Sequence, residues 1–123
     1  LGRIDMNDTH LAIGCYPGGS SFKVLELSTL SSPSYQTVPG QDCPSEVSFN
    51  DKGFFIPGDD NIIGWNSVAD ALAGSSPTMS FGGRTDKSNM GTKMAAGIGW
   101  DGYHFWVGEY KFSNRLLGFA PSK

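Results

Sequence analysis

The chain repeats one structural plan three times, and this repeat limits the folds that it can adopt. Each copy reads as a short strand, a turn containing an aspartate, a second strand ending near a glycine, a polar loop and a third strand. The turn aspartates are Asp8, Asp51 and Asp101, so successive copies lie 43 and 50 residues apart. The third copy, from Trp100 to Phe119, is the most regular, because its Asp-Gly turn joins two runs of strand-forming residues.

A repeat of about 40–50 residues is typical of the four-stranded blades of a β-propeller. Seventeen glycines, with proline and serine between short apolar runs, favour an all-β chain. Helical periodicity is nearly absent apart from a single turn over residues 66–73. We therefore predict about three antiparallel blades in a single partial propeller domain over residues 1–123. The blades are expected at approximately 2–39, 45–83 and 94–121.

The fourth, outer strand of a blade is predicted at residues 35–38 in the first copy and 78–81 in the second. The third copy ends without a counterpart, so the last blade is predicted to lack its outer strand. Pro57 is expected at a strand end or in a bulge, because proline donates no backbone hydrogen bond to a sheet. The polar segment 82–93 is predicted to be a loop between blades.

Charge and hydropathy bear on the classes of partner. The net charge of −3 is small and evenly spread, without a cluster of lysine and arginine, so neither nucleic acid nor a membrane surface is expected as a partner. No apolar run approaches the ~20 residues of a membrane-spanning helix. The start at Leu1 without a methionine suggests a processed or excerpted chain.

The two cysteines, Cys15 and Cys43, are either unrelated thiols or a disulfide when judged by count. Cys15 follows the second predicted strand of the first blade and Cys43 follows the fourth. Alternating strands place both ends on one side of the blade, which favours a disulfide worth about 3–4 kcal/mol on the chain-entropy model. A disulfide favours a secreted or cell-surface protein, in which Asn7 of Asn7-Asp8-Thr9 would be a glycosylation acceptor.

The third copy also resembles the NHL-type and related six-bladed β-propeller repeats. The resemblance rests on Asp101-Gly102, on Trp106-Val107-Gly108-Glu109 and on Asn114-Arg115 followed by an apolar strand. The second copy matches in part and lacks the arginine, and the first copy departs most. The resemblance implies a scaffold rather than one activity, since relatives bind proteins, RNA or glycans and a few are lyases or hydrolases.

Three blades cannot close a propeller ring, because each blade buries its faces against its neighbours. We therefore expect a homo-oligomer or an assembly with another propeller segment. The predicted docking edge is the last strand of the third blade, where a partner strand could add. Its residues are Asn114, Arg115, Leu116, Leu117 and Phe119.

Candidate binding residues are few. His10 and His104 occupy similar places in the repeats and are weak ligand-binding candidates beside a structural role. Asp59 and Asp60 could place oxygens near Ca²⁺, but a plain Asp-rich turn is the favoured interpretation, and no other cofactor is expected.

Three aromatic residues fall in loops where propellers bind ligands, and they could stack on a glycan or a peptide or instead form blade contacts. These residues are Tyr16, Tyr110 and Phe112.

Together these observations predict a non-catalytic extracellular structural or binding protein that contributes three blades to a larger assembly. One alternative is a subunit or fragment of a six-bladed propeller lyase or hydrolase. Another is a glycan-binding, lectin-like propeller.

Overall fold

The computed structural model describes residues 4–14, 22–58, 61–84, 95–109 and 116–121. Eleven strands and one short α-helix form this part of the chain, together with a 3-10 turn at Leu27–Thr29. The strands are β1 (Ile4–Met6), β2 (His10–Ile13), β3 (Lys23–Glu26), β4 (Tyr35–Thr37), β5 (Ser48–Asn50), β6 (Gly53–Pro57), β7 (Ile62–Trp65), β8 (Met79–Arg84), β9 (Ala95–Trp100), β10 (Phe105–Glu109) and β11 (Leu116–Pro121), and the helix is α1 (Val68–Leu72). The all-β class predicted from the sequence is confirmed.

The strands form two antiparallel sheets. The first sheet contains β1 to β4 in chain order, as expected for the first repeat. The second sheet has seven strands in the order β5-β6-β7-β8-β11-β10-β9. We call β1–β4 unit one, β5–β8 unit two and β9–β11 unit three, so that each unit is one copy of the sequence repeat.

Units two and three share one sheet, which differs from the three separate blades that the repeat predicted. The connection runs through β8, whose first residues pair with β7 while its last residues pair with β11. Residues 82–84, predicted to belong to a loop, extend β8 and make this second pairing. The sheet curls until its edge strands β5 and β9 contact each other, which gives a nearly closed, barrel-like shape.

The predicted docking edge on β11 is paired with β8 over Phe119 to Pro121. Phe119 pairs with Arg84, and Ala120 pairs with Gly83. Leu117 and Phe119 are buried in the core, whereas Leu116 is 61% exposed. Asn114 and Arg115 lie outside the described residues.

Two apolar cores separate the layers. The first core lies between the first sheet and one face of unit two, where Ala12 and Val24 meet Phe54, Ile56 and Trp65. The second core fills the curl between units two and three, and its buried members are Phe55, Ile62, Phe81, Phe105, Val107, Leu117 and Phe119. Successive side chains of a strand point to opposite faces, so β6 sends Phe54 and Ile56 to the first core and Phe55 to the second.

The remaining local predictions can be compared directly. Pro57 is the last residue of β6, as expected, and pairs with Ile62. The predicted helical turn is α1, which begins after Ser67, whose hydroxyl accepts a hydrogen bond from the Asp70 backbone N–H at 3.2 Å. None of the described helices is both long enough and apolar enough to cross a membrane.

Candidate functional site

The first hairpin turn of each unit is organised by an Asn or Asp side chain that accepts backbone N–H groups of the turn. Asn7 Oδ1 accepts from Thr9 N at 2.9 Å and from His10 N at 2.8 Å. Asn50 Oδ1 accepts from Lys52 N at 2.8 Å. Such side chains favour tight turns because they replace a backbone acceptor. We call these turns one, two and three, the third being at Asp101.

Turn three repeats the pattern with a carboxylate. Asp101 Oδ1 accepts from Tyr103 N at 2.8 Å and from His104 N at 2.7 Å. The residues that organise the turns are thus Asn7, Asn50 and Asp101. Asp101 of the third copy therefore aligns with an asparagine in each of the other two copies. In the first two copies, the alignment therefore moves back by one residue, from Asp8 to Asn7 and from Asp51 to Asn50.

The three turns lie at one end of the molecule. The strands of the second sheet alternate in direction, so β5 and β9 run the same way and turns two and three follow them at the same end. Turns one and two border a common cavity. A hydrogen bond also joins the first strands of units one and two, because Phe49 N on β5 donates to Asp5 Oδ2 on β1 at 2.7 Å.

The cavity between turns one and two has a volume of about 310 Å³. Turn one contributes Asn7, Thr9 and His10, and turn two contributes Asn50 to Gly53. Phe49 and Phe54 form its apolar wall, and residues 66–69 at the start of α1 close another side. A cavity near 300 Å³ is at the small end of the range for ligand sites.

One polar atom beside this cavity has no partner in the described chain. The amide Nδ2 of Asn50 is buried from solvent and makes no hydrogen bond there, although Oδ1 of the same amide holds turn two. A buried donor without a partner costs about 1–3 kcal/mol. Asn50 lines the cavity, and its Nδ2 lies just beneath the surface, where an acceptor reaches it once the neighbouring wall atoms shift.

Glycine at position 53 fits the close approach of two strands at turn two. Gly53 has a φ of +150°, and a Cβ there would collide with the backbone carbonyl oxygen of Trp65. The equivalent positions of turns one and three hold His10 and His104. Turn two therefore has no imidazole, and the cavity receives its only described histidine, His10, from turn one.

Turn three carries a cluster of aromatic rings around the Asp101 carboxylate. Asp101 Oδ2 accepts from Trp106 Nε1 at 2.8 Å and lies 3.2 Å from His104 Nδ1. The His104 ring packs edge-on against Tyr103, with centroids 4.6 Å apart, and lies 5.7 Å from the Trp106 ring. Tyr103 is 60% exposed.

The hydrogen bonds at turn three also fix the charge of Asp101. The backbone N–H of His104, the indole N–H of Trp106 and the backbone N–H of Tyr103 hold the pKa of this carboxyl far below its ordinary value. These three N–H donors are satisfied by a carboxylate engaged on both oxygens. Asp101 is thus an anchor that orients the rings rather than a free general base.

The structure brings some predicted site residues into these places. His10 lines the cavity and His104 belongs to the turn-three cluster. Cys43 is disulfide-bonded, and its Sγ lies 3.9 Å from the carbonyl oxygen of Ile13, two residues before Cys15. Cys15 is the other cysteine of the chain but lies outside the described residues.

Five further candidates, Tyr16, Asp59, Asp60, Tyr110 and Phe112, also lie outside the described residues. Within the part that is described, no group of three His, Cys, Asp or Glu side chains is placed to hold a metal ion.

Sequence reasoning missed Asn50 and the role of Trp106. Asn50 directly precedes the aspartate used to align the repeats, and an Asn two residues before a turn lysine is a recognisable signal for a side-chain-capped turn. The unpaired Nδ2 of Asn50 has no such signal in the sequence, because its surroundings depend on how unit one packs against unit two.

Comparison with known proteins adds no relative. No family model, curated protein or solved structure matches the chain.

Proposed function

We propose that this protein is a non-catalytic, extracellular binding protein whose cavity between turns one and two takes an uncharged carbohydrate. The observation that carries the proposal is the buried, unpartnered Nδ2 of Asn50 at the wall of a polar cavity. Native proteins seldom leave such a donor unpaired. A ligand oxygen that displaces the wall atoms over this nitrogen would satisfy it.

The chemistry of the wall favours a sugar over an ion or an apolar ligand. Six of the thirteen lining residues carry an amide, a hydroxyl or an imidazole, which both donate and accept hydrogen bonds as sugar hydroxyls require. Phe49 provides an apolar surface for the C–H face of a sugar ring. The two charged wall residues, Asp51 and Lys52, lie 3.8 Å apart and oppose each other, so the wall has no net charge.

The scaffold and compartment in this proposal follow from the same fold. The three units act as propeller-type blades, of which the last two are joined edge to edge through β8 and β11; their antiparallel strand order and their packing through two cores support this. The disulfide at Cys43 supports an oxidising compartment, hence secretion or display at the cell surface.

The test is calorimetric titration of the protein with a panel of neutral mono- and disaccharides, followed by the same titration of Asn50→Asp. This substitution keeps the oxygen that accepts from Lys52 N and replaces the orphan donor with an acceptor. We expect affinity for the bound sugar to fall about tenfold or more, because a hydrogen bond becomes a repulsion between two acceptors.

Gln36→Glu is the matched control, since it makes the same amide-to-acid change at an exposed residue of β4 that does not line the cavity. It should bind like the wild type. Absence of binding across the panel at millimolar sugar, or equal binding by Asn50→Asp and wild type, would contradict the proposal.

A further inference from the structure

The organising residues of the three turns give a residue-by-residue alignment of the units. Counting back from Asn7, Asn50 and Asp101 aligns Met6 with Phe49 and Trp100, and Ile4 with Val47 and Ile98. Counting forward aligns Leu11 with Phe54 and Phe105, and Ile13 with Ile56 and Val107. These four positions alternate along the first two strands of a unit, so they share one face. We call it the leading face.

In units two and three, the leading face is covered by the preceding unit. Phe54 and Ile56 are 1% and 2% exposed, in the core shared with unit one. Phe105 and Val107 are 0% and 1% exposed, in the core shared with unit two. The stacking of units is therefore directional: each leading face packs on the unit before it in the chain.

In unit one, no other described unit packs on the leading face. Ile4 is 63% exposed and Met6 is 54% exposed, although both are large apolar side chains. Register places Leu11 opposite Met6 and Ile13 opposite Ile4, both half-buried, and continues through the buried Leu25 to Tyr35, which is 54% exposed. Exposed large apolar side chains such as these mark an interaction surface.

We call the opposite face of each unit the trailing face. In units one and two, the trailing face is covered by the following unit. Ala12 of unit one is buried against unit two, and the equivalent Phe55 of unit two is buried against unit three. The equivalent residue of unit three is Trp106, and it points away from both cores.

Register places Gly99 and Gly97 beside Trp106 and Gly108 on the trailing face of unit three, with Leu116 opposite Gly108. A Cβ at any of these three glycines would meet nothing within 4 Å, so the described chain leaves this face uncovered.

We propose that the leading face of unit one docks on the trailing face of unit three in a second copy of this chain. The argument is continuity: inside the chain, every covered leading face packs on a trailing face, and the open leading face is matched by one open trailing face. The shapes also suit each other, since Ile4, Met6 and Tyr35 project from one surface while the glycines flatten the other.

The geometry of the contact fixes its symmetry. Two different faces meet, so the interface is heterologous. Two copies placed head to tail would use each face once and leave none open, which gives a dimer of six stacked units. This proposal is independent of the sugar site, because the four leading-face residues of unit one do not line the cavity.

Light scattering of the purified protein after size-exclusion chromatography is the first test. We expect a mass about twice the 13.2 kDa of one chain. Met6→Glu and Leu116→Glu, placed on the two opposed faces, should each convert the protein to a folded monomer. Gln36→Glu introduces the same charge on the other face of the first sheet and should remain a dimer.

Mixing the two variants distinguishes this interface from one in which identical faces meet. Equimolar Met6→Glu and Leu116→Glu should recover dimer, because the mixed pair retains one contact between two unmodified faces. Circular dichroism of each variant checks that the fold persists. A wild-type monomer, or a dimer that survives both substitutions, would overturn the proposal, and so would a failure of the mixture to recover dimer.

Discussion

The leading face of unit one and the leading face of unit two have nearly the same apolar pattern but opposite environments. Met6 is 54% exposed whereas its equivalent Phe49 packs against the first core, and Leu11 is half-buried whereas its equivalent Phe54 is 1% exposed. The difference lies in whether another described unit packs on each face rather than in the strands themselves. Apolar alternation along a strand thus predicts that one face of the strand will be buried. Which unit buries that face depends on the stacking order of the units.

The largest effects are expected when equivalent residues on the leading faces of the three units are truncated to alanine. Phe54→Ala and Phe105→Ala should each cost about 3–5 kcal/mol of unfolding free energy, because both rings are buried in aromatic cores. Leu11→Ala, measured at a concentration where the chain is monomeric, should cost about 1 kcal/mol. Urea unfolding monitored by tryptophan fluorescence gives all three values. Equal losses at Leu11 and Phe54 would show that the leading face of unit one is covered within the monomer.

Substitutions of glycine by alanine on two trailing faces are expected to change stability by an intermediate amount. A Cβ on Gly64 of unit two would collide with the Phe55 ring and lie 2.9 Å from the Phe54 carbonyl oxygen, whereas a Cβ on Gly99 of unit three meets nothing. Gly64→Ala should therefore destabilise by about 1–3 kcal/mol.

Gly99→Ala should leave the monomer unchanged or stabilise it by up to about 1 kcal/mol. In the dimer, the same added methyl would stand in the contact and weaken association. Thermal unfolding and the dilution dependence of the mass separate the two effects. Destabilisation of the monomer by Gly99→Ala would indicate that unit three is already covered.

The smallest expected effect compares turn three with turns one and two. Asp101 has a folded-state pKa below its ordinary value of 3.8, because three N–H groups favour the carboxylate. Its contribution to stability is therefore present above about pH 4 and is lost as pH falls below that value toward the folded-state pKa. Asn7 and Asn50 do not titrate.

Asp101→Asn should accordingly lower the melting temperature at pH 7, and the difference from wild type should shrink between pH 5 and pH 2. Asn50→Asp is a useful partner variant, because it places a carboxylate in a turn without the indole donor. A difference between Asp101→Asn and wild type that is constant over this pH range would contradict the role assigned to the carboxylate.

Much of the fold could be predicted from the sequence because it depends on local signals. The repeat spacing, the turn residues and the alternating apolar runs are readable at short range, and they correctly predicted the four-stranded unit one and the position of Pro57. The pairing of β8 with β11 was not readable. Residues 82–84 are glycines and an arginine, which favour a loop locally, and they become strand because β11 offers them a partner edge.

The candidate site was less predictable for the same reason. His10 could be singled out because histidines are rare in the chain. The cavity and the unpaired Asn50 nitrogen arise between two units that are remote in sequence, so no local pattern contains them. The aromatic cluster at Asp101 is intermediate, since its residues lie within six positions but their convergence requires the hairpin geometry of β9 and β10.

Oxidative footprinting of Met6 tests most directly whether the open leading face is covered in the protein as it exists in solution. Met6 is 54% exposed in the isolated chain, while Met79 packs against the second core and serves as the internal reference. The account predicts that peroxide oxidises Met6 rapidly in dilute solution and slowly at concentrations where the mass doubles, with Met79 unchanged. A Met6 oxidation rate independent of protein concentration, in a sample whose mass has doubled, would contradict it.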